Sequence, residues 1–216
     1  MKTIILGRGY SCLNSTKEFV DSHDLIAVTN KFIFKGYEKY VSNRADIQFR
    51  NGTAENFSED EFNRLKLKKI IYTHNSNKFP SYPKYYKNIE IITPQPRIKI
   101  LFKKEFGFDE PSSGIIATYY MLKNYDIREM SLVGFDFYSL NTPPYYFKPE
   151  DADSNLKYLW KNKYKNNVIN SVSGHNEEKS IEVLMKLIKE NKNTKFNMIT
   201  NSIKVKNHKY NNLNFI

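Results

Sequence analysis

Two glycines and a serine follow the first apolar run of the chain, residues 2–6. A tight turn holding Gly7, Gly9 and Ser11 after a buried strand can aim backbone N–H groups at a phosphate or nucleotide. The dinucleotide fingerprint is incomplete, because Cys12 stands where its third glycine belongs and no acidic residue ends the next apolar run. The turn therefore favours a nucleotide loop of another kind, with a plain tight turn as the alternative.

Polar residues also follow the next apolar runs and open a helix. Asn30 and Asn51 stand where two successive strands would end, which is where open α/β sheets bind ligands. Their amides can donate and accept, as a nucleobase, ribose or phosphate requires, but Asx turns explain them equally well. Ser112, Ser113 and Gly114 begin a predicted helix, where free N–H groups favour an anion and simple capping is the alternative.

His175 is the most informative of the four histidines because it directly precedes a predicted helix. A nearby helix N-terminus disfavours protonation and keeps an imidazole neutral and basic near about pH 7. On spacing alone, a surface histidine without a role in catalysis explains it as well. The other three have no metal-ligand spacing and are predicted to be structural: His23, His74 and His208.

Seven apolar runs predict the strands that must position these residues. The runs are nearly continuous in Ile, Val and Leu, which is typical of strands covered on both faces in a largely parallel sheet. Helices over 113–124 and after the capping residue Asn176 supply such cover. We therefore predict an α/β fold with one Rossmann-like domain. The predicted strands are 2–6, 25–29, 45–49, 69–73, 89–93, 130–134 and 196–200.

An aromatic and polar segment interrupts this pattern between Tyr138 and His175. Loops longer than about 12–15 residues in compact domains are usually lids or binding loops. We predict a lid over 138–174, partly helical around 152–165 and without a strand, inserted into a core formed by 1–137 and 175–216. Within it, Asp151 and Asp153 weakly match the two-carboxylate pattern by which many glycosyltransferases hold a divalent metal.

Composition limits the class of protein. The chain has 34 lysines and arginines against 23 acidic residues, a net charge of +11, which favours a phosphate-bearing partner unless it reflects base composition. One cysteine excludes a disulfide framework and a cysteine-based zinc site. No apolar stretch approaches the roughly 18 residues of a membrane span, and the N-terminal run is too short for a signal peptide. These features predict a cytoplasmic protein.

The ordered set of motifs resembles the bacterial sialyltransferases of glycosyltransferase family 42, typified by Campylobacter lipooligosaccharide enzymes. The strongest part runs from 112–117 through 130–138, which looks like that family's Ser-Gly helix and a strand ending in Gly-hydrophobic-Asp-Phe-Tyr. The similarity covers most of the chain, although this protein is shorter. The remaining matches keep the family's order: Gly7-x-Gly9-x-Ser11, Asn30-x-Phe32-x-Phe34, Phe49-Arg50-Asn51, Gly174-His175 and Asn201-Ser202.

The resemblance implies an inverting, metal-independent transfer of a nonulosonic acid such as sialic acid from its CMP-activated form to a glycan hydroxyl. It implies a GT-A type fold with an aromatic-rich lid and no cofactor. His175 would be the general base, and Tyr138 with either Tyr145 or Tyr146 would hydrogen-bond the departing phosphate. The CMP-sugar site would be lined by Gly7, Gly9, Ser11, Asn30, Asn51, Ser112, Ser113, Gly114, Phe135 and Asp136.

The resemblance further implies lipooligosaccharide or capsule synthesis, a homo-oligomer and no nucleic-acid partner. The glycan acceptor can be lipid-linked, and the basic stretch over 186–209 could hold the enzyme at an anionic inner-membrane face; a solvated helix and loop explain its lysines as well.

Two departures from the family pattern leave the donor open. Asp109 and Glu110 stand where the family has an arginine, and Val172 replaces a tyrosine. Kdo, legionaminic acid and pseudaminic acid are therefore candidate donor sugars beside sialic acid. From a different class, a nucleic-acid-binding α/β module could use the same lysines with stacking lid aromatics. A catalytically inactive relative that still binds nucleotide is the third alternative.

Overall fold

The computed structural model describes residues 1–51, 55–73, 83–93, 98–108, 111–137, 143–152, 157, 164–165, 168–169 and 176–216. Its centre is one sheet of eight strands in which every neighbouring pair is parallel. Those strands are β1 (Lys2–Leu6), β2 (Leu25–Thr29), β3 (Ile47–Arg50), β4 (Lys69–Tyr72), β5 (Glu90–Ile92), β6 (Glu129–Val133), β9 (Lys195–Ile199) and β10 (Leu213–Phe215); β7 (Tyr164–Lys165) and β8 (Val168–Ile169) form a separate antiparallel pair.

The strand order across the sheet is β10-β9-β6-β1-β2-β3-β4-β5. From β1 the chain moves outward through β2 to β5, and it then returns to β6 on the opposite side of β1. The direction of winding thus reverses between β1 and β6. In open α/β sheets, ligands bind outside the carboxyl ends of the strands at such a reversal. The predicted α/β class and parallel sheet are confirmed.

Helices cover both faces of the sheet, because successive side chains of each strand point to opposite sides. Leu6 shares a core with Val20 of α1, whereas Ile5 shares the opposite core with Ala117 of α5 and Leu184 of α6. None of the described helices is long and apolar enough to cross a membrane. The helices are α1 (Lys17–Asp21), α2 (Glu38–Val41), α3 (Glu59–Leu65), α4 (Ile98–Phe106), α5 (Ser113–Asn124), α6 (Glu177–Glu190) and α7 (Ile203–Lys206), with 3-10 turns at Tyr10–Asn14 and Pro149–Asp151.

Most predicted elements match within two residues, and the differences have local causes. The third strand begins at Ile47 instead of 45 because the Asp46 carboxylate accepts the N–H of Ile26 at 3.0 Å and binds Arg44 at 2.9 Å. Helix α6 begins as predicted, with the Asn176 side chain accepting the N–H of Lys179 at 2.9 Å. Strand β10 was not predicted.

The segment predicted as a lid lies largely outside the described residues. Within it, the expectation of no strand is wrong, since Tyr164–Lys165 pairs antiparallel with Val168–Ile169. The segment predicted to be partly helical around 152–165 contains one described helical residue, Lys157, whereas its last two residues are in a strand. The division into a core and a lid stays a prediction.

The loops after β1 and β6 cross in close contact. The N–H of Gly7 donates to the carbonyl of Val133 at 2.7 Å, and that of Gly9 donates to the carbonyl of Gly134 at 3.0 Å. A Cβ at Gly7 would lie 2.5 Å from the Gly134 oxygen, and one at Gly134 would lie 2.5 Å from the sulfur of Cys12. This crossing accepts no side chain at either position.

Gly134→Ala should lower the free energy of unfolding by about 3–5 kcal/mol, through backbone strain and crowding together. Gly36→Ala is the matched control, because Gly36 also has a positive φ, +87° against +76°, but nothing lies within 4 Å of its added Cβ. Strain alone should cost the control about 1–2 kcal/mol. Urea unfolding measures both; equal losses would contradict the crowding at the loop crossing.

Candidate functional site

Asp136 joins three loops at the carboxyl edge of the sheet. Its Oδ2 accepts the N–H of Ser11 at 2.7 Å, and its Oδ1 accepts the N–H of Asn201 at 2.8 Å. The Thr200 hydroxyl, which donates to the Phe135 carbonyl at 2.8 Å, also lies 3.3 Å from Oδ1. The carboxylate is buried, and a buried charge is retained only where such donors surround it. Asp136 therefore holds the loops after β1, β6 and β9 in one arrangement.

The glycine turn presents fewer backbone donors than its sequence predicts. The N–H groups of Gly7 and Gly9 are taken by carbonyls of the β6 loop, and the N–H of Ser11 is taken by Asp136. The Ser11 hydroxyl donates to the carbonyl of Ile199 at 3.0 Å. The N–H groups of these three residues are therefore engaged in contacts between loops. That the three residues line a CMP-sugar site stays a prediction.

Asn30 is the centre of a second polar cluster, at the ends of β2 and β3. It has a φ of 55°, a left-handed conformation that asparagine tolerates better than most residues. Its carbonyl accepts from the Gln48 side chain at 2.7 Å, and its N–H donates to Phe49 at 2.7 Å. Its Oδ1 accepts the N–H of Asn51 at 2.9 Å. Both predicted asparagines thus meet at the carboxyl edge, with Asn30 in a fixed orientation.

Helix α5 begins beside this cluster. The Ser113 hydroxyl lies 3.4 Å from Asn30 Oδ1 and 3.4 Å from the hydroxyl of Thr73, the residue that follows β4. Ser112 caps the helix, since its hydroxyl accepts the N–H of Ile115 at 3.5 Å. Ser112 therefore has the capping role left open as the alternative, whereas Ser113 brings a hydroxyl into the asparagine cluster.

Gly114 and Phe135 fix the distance between α5 and the β6 loop. A Cβ at Gly114 would lie 2.9 Å from the ring of Phe135, which is itself buried. The helix N-terminus can approach the carboxyl edge this closely only with glycine at that position. Both residues thus belong to the frame of the site through packing.

The segment 143–152 packs over the turn that follows β2. The Tyr146 hydroxyl donates to the carbonyl of Ile33 and accepts the Ile33 N–H at 3.1 Å. The side chain is 3% exposed, and burial raises the pKa of its phenol well above the usual value. The Tyr37 hydroxyl, which receives the N–H of Lys148 at 3.0 Å, donates to Asp151 at 3.1 Å. These contacts anchor the segment to residues 32–37.

Tyr145 directly precedes Tyr146 and has different contacts. Its ring stacks on Phe147, with centroids 5.2 Å apart, and the guanidinium carbon of Arg8 lies 5.1 Å from its centroid. The neighbouring Tyr146 hydroxyl is fully engaged by the backbone of Ile33. Of the two tyrosines that the sequence leaves open, Tyr145 is the one whose hydroxyl the Ile33 backbone does not engage.

Two of the predicted catalytic residues, Tyr138 and His175, lie outside the described residues, as do Asp109, Glu110 and Val172. The chain next to His175 is described, however. Lys204 of α7, which follows β9, binds Glu177 of α6 at 2.8 Å. The N-terminus of α6 therefore lies at the carboxyl edge of the sheet, on the same side as Asn30 and Asp136.

The remaining histidines and the acidic pair have local contacts. His23 is buried with Nε2 2.8 Å from the Ser131 hydroxyl, and burial lowers its pKa, so it is a neutral structural group. His208 stacks on Tyr210 with centroids 6.2 Å apart, and His74 lies outside the described residues. Of the acidic pair, Asp153 is also outside them. Within the described ranges no cluster of three His, Cys, Asp or Glu side chains could hold a metal.

Three site residues were missed by sequence reasoning. Thr73 and Thr200 each follow a strand as Asn30 and Asn51 do, so their position after an apolar run was the signal that could have found them. Tyr37 carried no comparable signal, because its partners are brought to it only by the docking of 143–152.

The chain is an α/β protein with a polar cluster at the carboxyl ends of its parallel strands. Known structures share this fold. The chain is similar to the sialyltransferase CstII from Campylobacter jejuni in complex with a CMP-sugar analogue: 18% identity, TM-score 0.60, over 95% of this chain and 84% of that one. It is similar to the α-2,3-sialyltransferase Cst-I from the same organism: 19% identity, TM-score 0.58, over 97% and 83%.

A mammalian sialyltransferase shares the fold at 17% identity and a TM-score of 0.58, over 90% of this chain and 68% of that one. No protein-family model and no curated protein sequence matches the chain. Identities this low show a shared fold. The chain has the fold of the Campylobacter sialyltransferases, which confirms at that level the resemblance carried by its motifs.

Asp136→Asn should lower the free energy of unfolding by about 2–4 kcal/mol. The substitution replaces one accepting oxygen by an NH₂ group, so one of the two backbone N–H groups that Asp136 binds would lose its acceptor. The control is Asp24→Asn: Asp24 accepts the N–H of Lys2 at 2.8 Å but is exposed. It should change stability by about 0.5 kcal/mol or less. Urea unfolding compares the two, and an unchanged midpoint for the Asp136 variant would show that the three loops do not depend on it.

Tyr146→Phe should destabilise the protein by about 1–2 kcal/mol, since it leaves both backbone groups of Ile33 without their buried partner. Tyr10→Phe serves as control because Tyr10 is 37% exposed, and its loss should stay within about 0.5 kcal/mol. Thermal unfolding at one pH measures both. If the Tyr146 variant is as stable as the control, this hydroxyl does not anchor the segment.

Proposed function

We propose that the protein transfers sialic acid or a related nonulosonic acid from a CMP-activated donor to a glycan hydroxyl. The observation that carries the proposal is the polar cluster of Asn30, Asn51 and Ser113 at the carboxyl edge of a fold shared with sialyltransferases over 95% of the chain. CstII itself has been crystallised with CMP and a trisaccharide acceptor. The same two ligand classes are proposed for this chain.

Donor binding would use neutral polar groups and a helix end. Asn30 and Asn51 supply amides, and Ser113 supplies a hydroxyl beside the N-terminus of α5, where backbone N–H groups favour an anion. A CMP leaving group carries a single bridging phosphate. Hydroxyl and N–H donors can stabilise its charge as it departs, so the transfer is proposed to be metal-independent and to need no cofactor.

In the proposed reaction the acceptor hydroxyl attacks the anomeric carbon of the donor sugar while the bond from that carbon to the CMP oxygen breaks. His175 takes the proton of the attacking hydroxyl as general base. Attack opposite the leaving group inverts the anomeric centre. The position of Glu177 at the carboxyl edge, on the same side as Asn30, supports this role for a histidine two residues earlier.

Stabilisation of the departing phosphate is assigned to Tyr138 and Tyr145. Tyr146 is the weaker choice because its hydroxyl already makes two hydrogen bonds with the backbone of Ile33. We retain the division into a core of 1–137 and 175–216 and a lid of 138–174. In that division the anchored residues 143–152 form the fixed base of the lid, whose closure would exclude water from the donor.

The protein is further proposed to have a GT-A type fold and to be a cytoplasmic homo-oligomer with peripheral inner-membrane contact. Its proposed acceptor is a lipid-linked glycan in lipooligosaccharide or capsule synthesis. Two lysines of the basic C-terminal region pair with acids: Lys204 with Glu177 at 2.8 Å and Lys186 with Glu190 at 3.9 Å. Such pairs leave less charge for a membrane face than the sequence implies.

The nucleic-acid-binding alternative loses part of its support. Stacking on bases requires exposed aromatic faces, but three of the lid aromatics, Tyr145, Tyr146 and Phe147, are buried. Their rings pack on each other and on residues 32–37. The net charge of +11 remains the main feature in its favour.

His175→Ala should lower the kcat for CMP release from CMP-sialic acid in the presence of a galactose-terminated acceptor by about 100- to 10,000-fold, the usual range for loss of a general base. EDTA should leave the wild-type rate unchanged. His208→Ala is the control, because that imidazole stacks on Tyr210 and takes no part in the proposed site.

The donors CMP-Kdo, CMP-legionaminic acid and CMP-pseudaminic acid are tested in parallel. Release that stops with EDTA would overturn metal independence, and an unaffected His175 variant would overturn the assigned base. CMP binding without release from any donor would identify an inactive relative, and absence of both would overturn the transferase.

A further inference from the structure

We propose that Arg8 binds the phosphate of the CMP-activated donor and thereby sets the preference of the site for a nucleotide over a nucleoside. This inference rests on the proposed function. Arg8 lies in the turn after β1, at the point where the strand order reverses between β1 and β6. Arg8 is therefore a cation at the place where open α/β sheets bind their ligands.

The backbone on both sides of Arg8 is fixed. The N–H groups of Gly7 and Gly9 donate to the β6 loop, and the carbonyl of Arg8 itself accepts the N–H of Tyr146 at 3.2 Å. These bonds engage the N–H groups of Gly7 and Gly9, and the Arg8 side chain is the charged group that the turn can offer to an anion. In this proposal a guanidinium, and not backbone N–H groups, binds the phosphate at this turn.

The Arg8 side chain is half-buried, with its guanidinium carbon 5.1 Å from the centroid of Tyr145. A guanidinium over an aromatic face is held in position and keeps its N–H donors along its own edge. Tyr145 is the tyrosine proposed above to contact the departing phosphate. The stacked pair would therefore present a cation and a phenol to the same group.

Arg8 has no acidic partner among the described residues, whereas the lysine that follows β2 has one. Lys31, which directly follows Asn30, is neutralised by Glu61 at 2.8 Å. A partly buried cation without a counterion is unfavourable, and an anionic ligand removes that cost. The planar fork of a guanidinium matches two phosphate oxygens at once.

The test is calorimetric titration of cytidine, CMP and CMP-sialic acid into the wild type and three variants. Arg8→Gln should weaken CMP binding about 10- to 100-fold, the loss of charged hydrogen bonds, while cytidine binding stays unchanged. Arg8→Lys keeps the charge and should recover part of the CMP affinity. Lys123→Gln is the matched control: Lys123 is also a cation over a tyrosine, 5.5 Å from the ring centroid of Tyr119, but lies near the C-terminal end of α5.

The outcomes separate this inference from the proposed function. Wild type that binds neither CMP nor CMP-sialic acid overturns both. Wild type that binds CMP, with Arg8→Gln binding it equally well, overturns the role of Arg8 alone. Equal losses of CMP and cytidine affinity would show that Arg8 only supports the packing of Tyr145. A loss confined to CMP-sialic acid would assign the guanidinium to the sugar carboxylate instead of the phosphate.

Discussion

The close crossing of the loops after β1 and β6 is the constraint on which the rest of the carboxyl edge depends. Two strands that are distant in the sequence are joined there by backbone hydrogen bonds between Gly7 and Val133 and between Gly9 and Gly134. Asp136 then extends the junction to β9 through Asn201. Because glycine is required for the approach and a carboxylate for the donors, the geometry of the crossing is set by few side chains.

This crossing bears on the proposed ligand site. It engages the N–H groups of Gly7 and Gly9, and Asp136 engages that of Ser11, so the proposed recognition relies on side chains. Those side chains lie on the neighbouring strand ends: Asn30 and Asn51 after β2 and β3, and Ser113 at the start of α5. The proposed site thus consists of amides and hydroxyls around this junction, and its proposed positive charge comes from Arg8 and the helix end.

The sequence predicted the strands and the two long helices well, because nearly continuous Ile and Val runs have few alternatives to buried strands. Strand β10 was not predicted, because only Leu213 of its three residues is buried and the sequence has no apolar run there. The partners of Gly7 and Gly9 could not be predicted, because they lie far along the chain. Likewise, the choice between Tyr145 and Tyr146 depends on how 143–152 docks onto residues 32–37.

The order of the strands also has a consequence for how the chain folds during synthesis. Strand β1 lies in the middle of the sheet, yet one of its two neighbours, β6, is paired in register from Lys2 with Glu129 to Leu6 with Val133. Until the ribosome has released residues 129–133, one edge of β1 has no partner. A nascent chain holding β1 to β5 exposes that edge, so chaperone protection would matter most in the interval before β6 emerges.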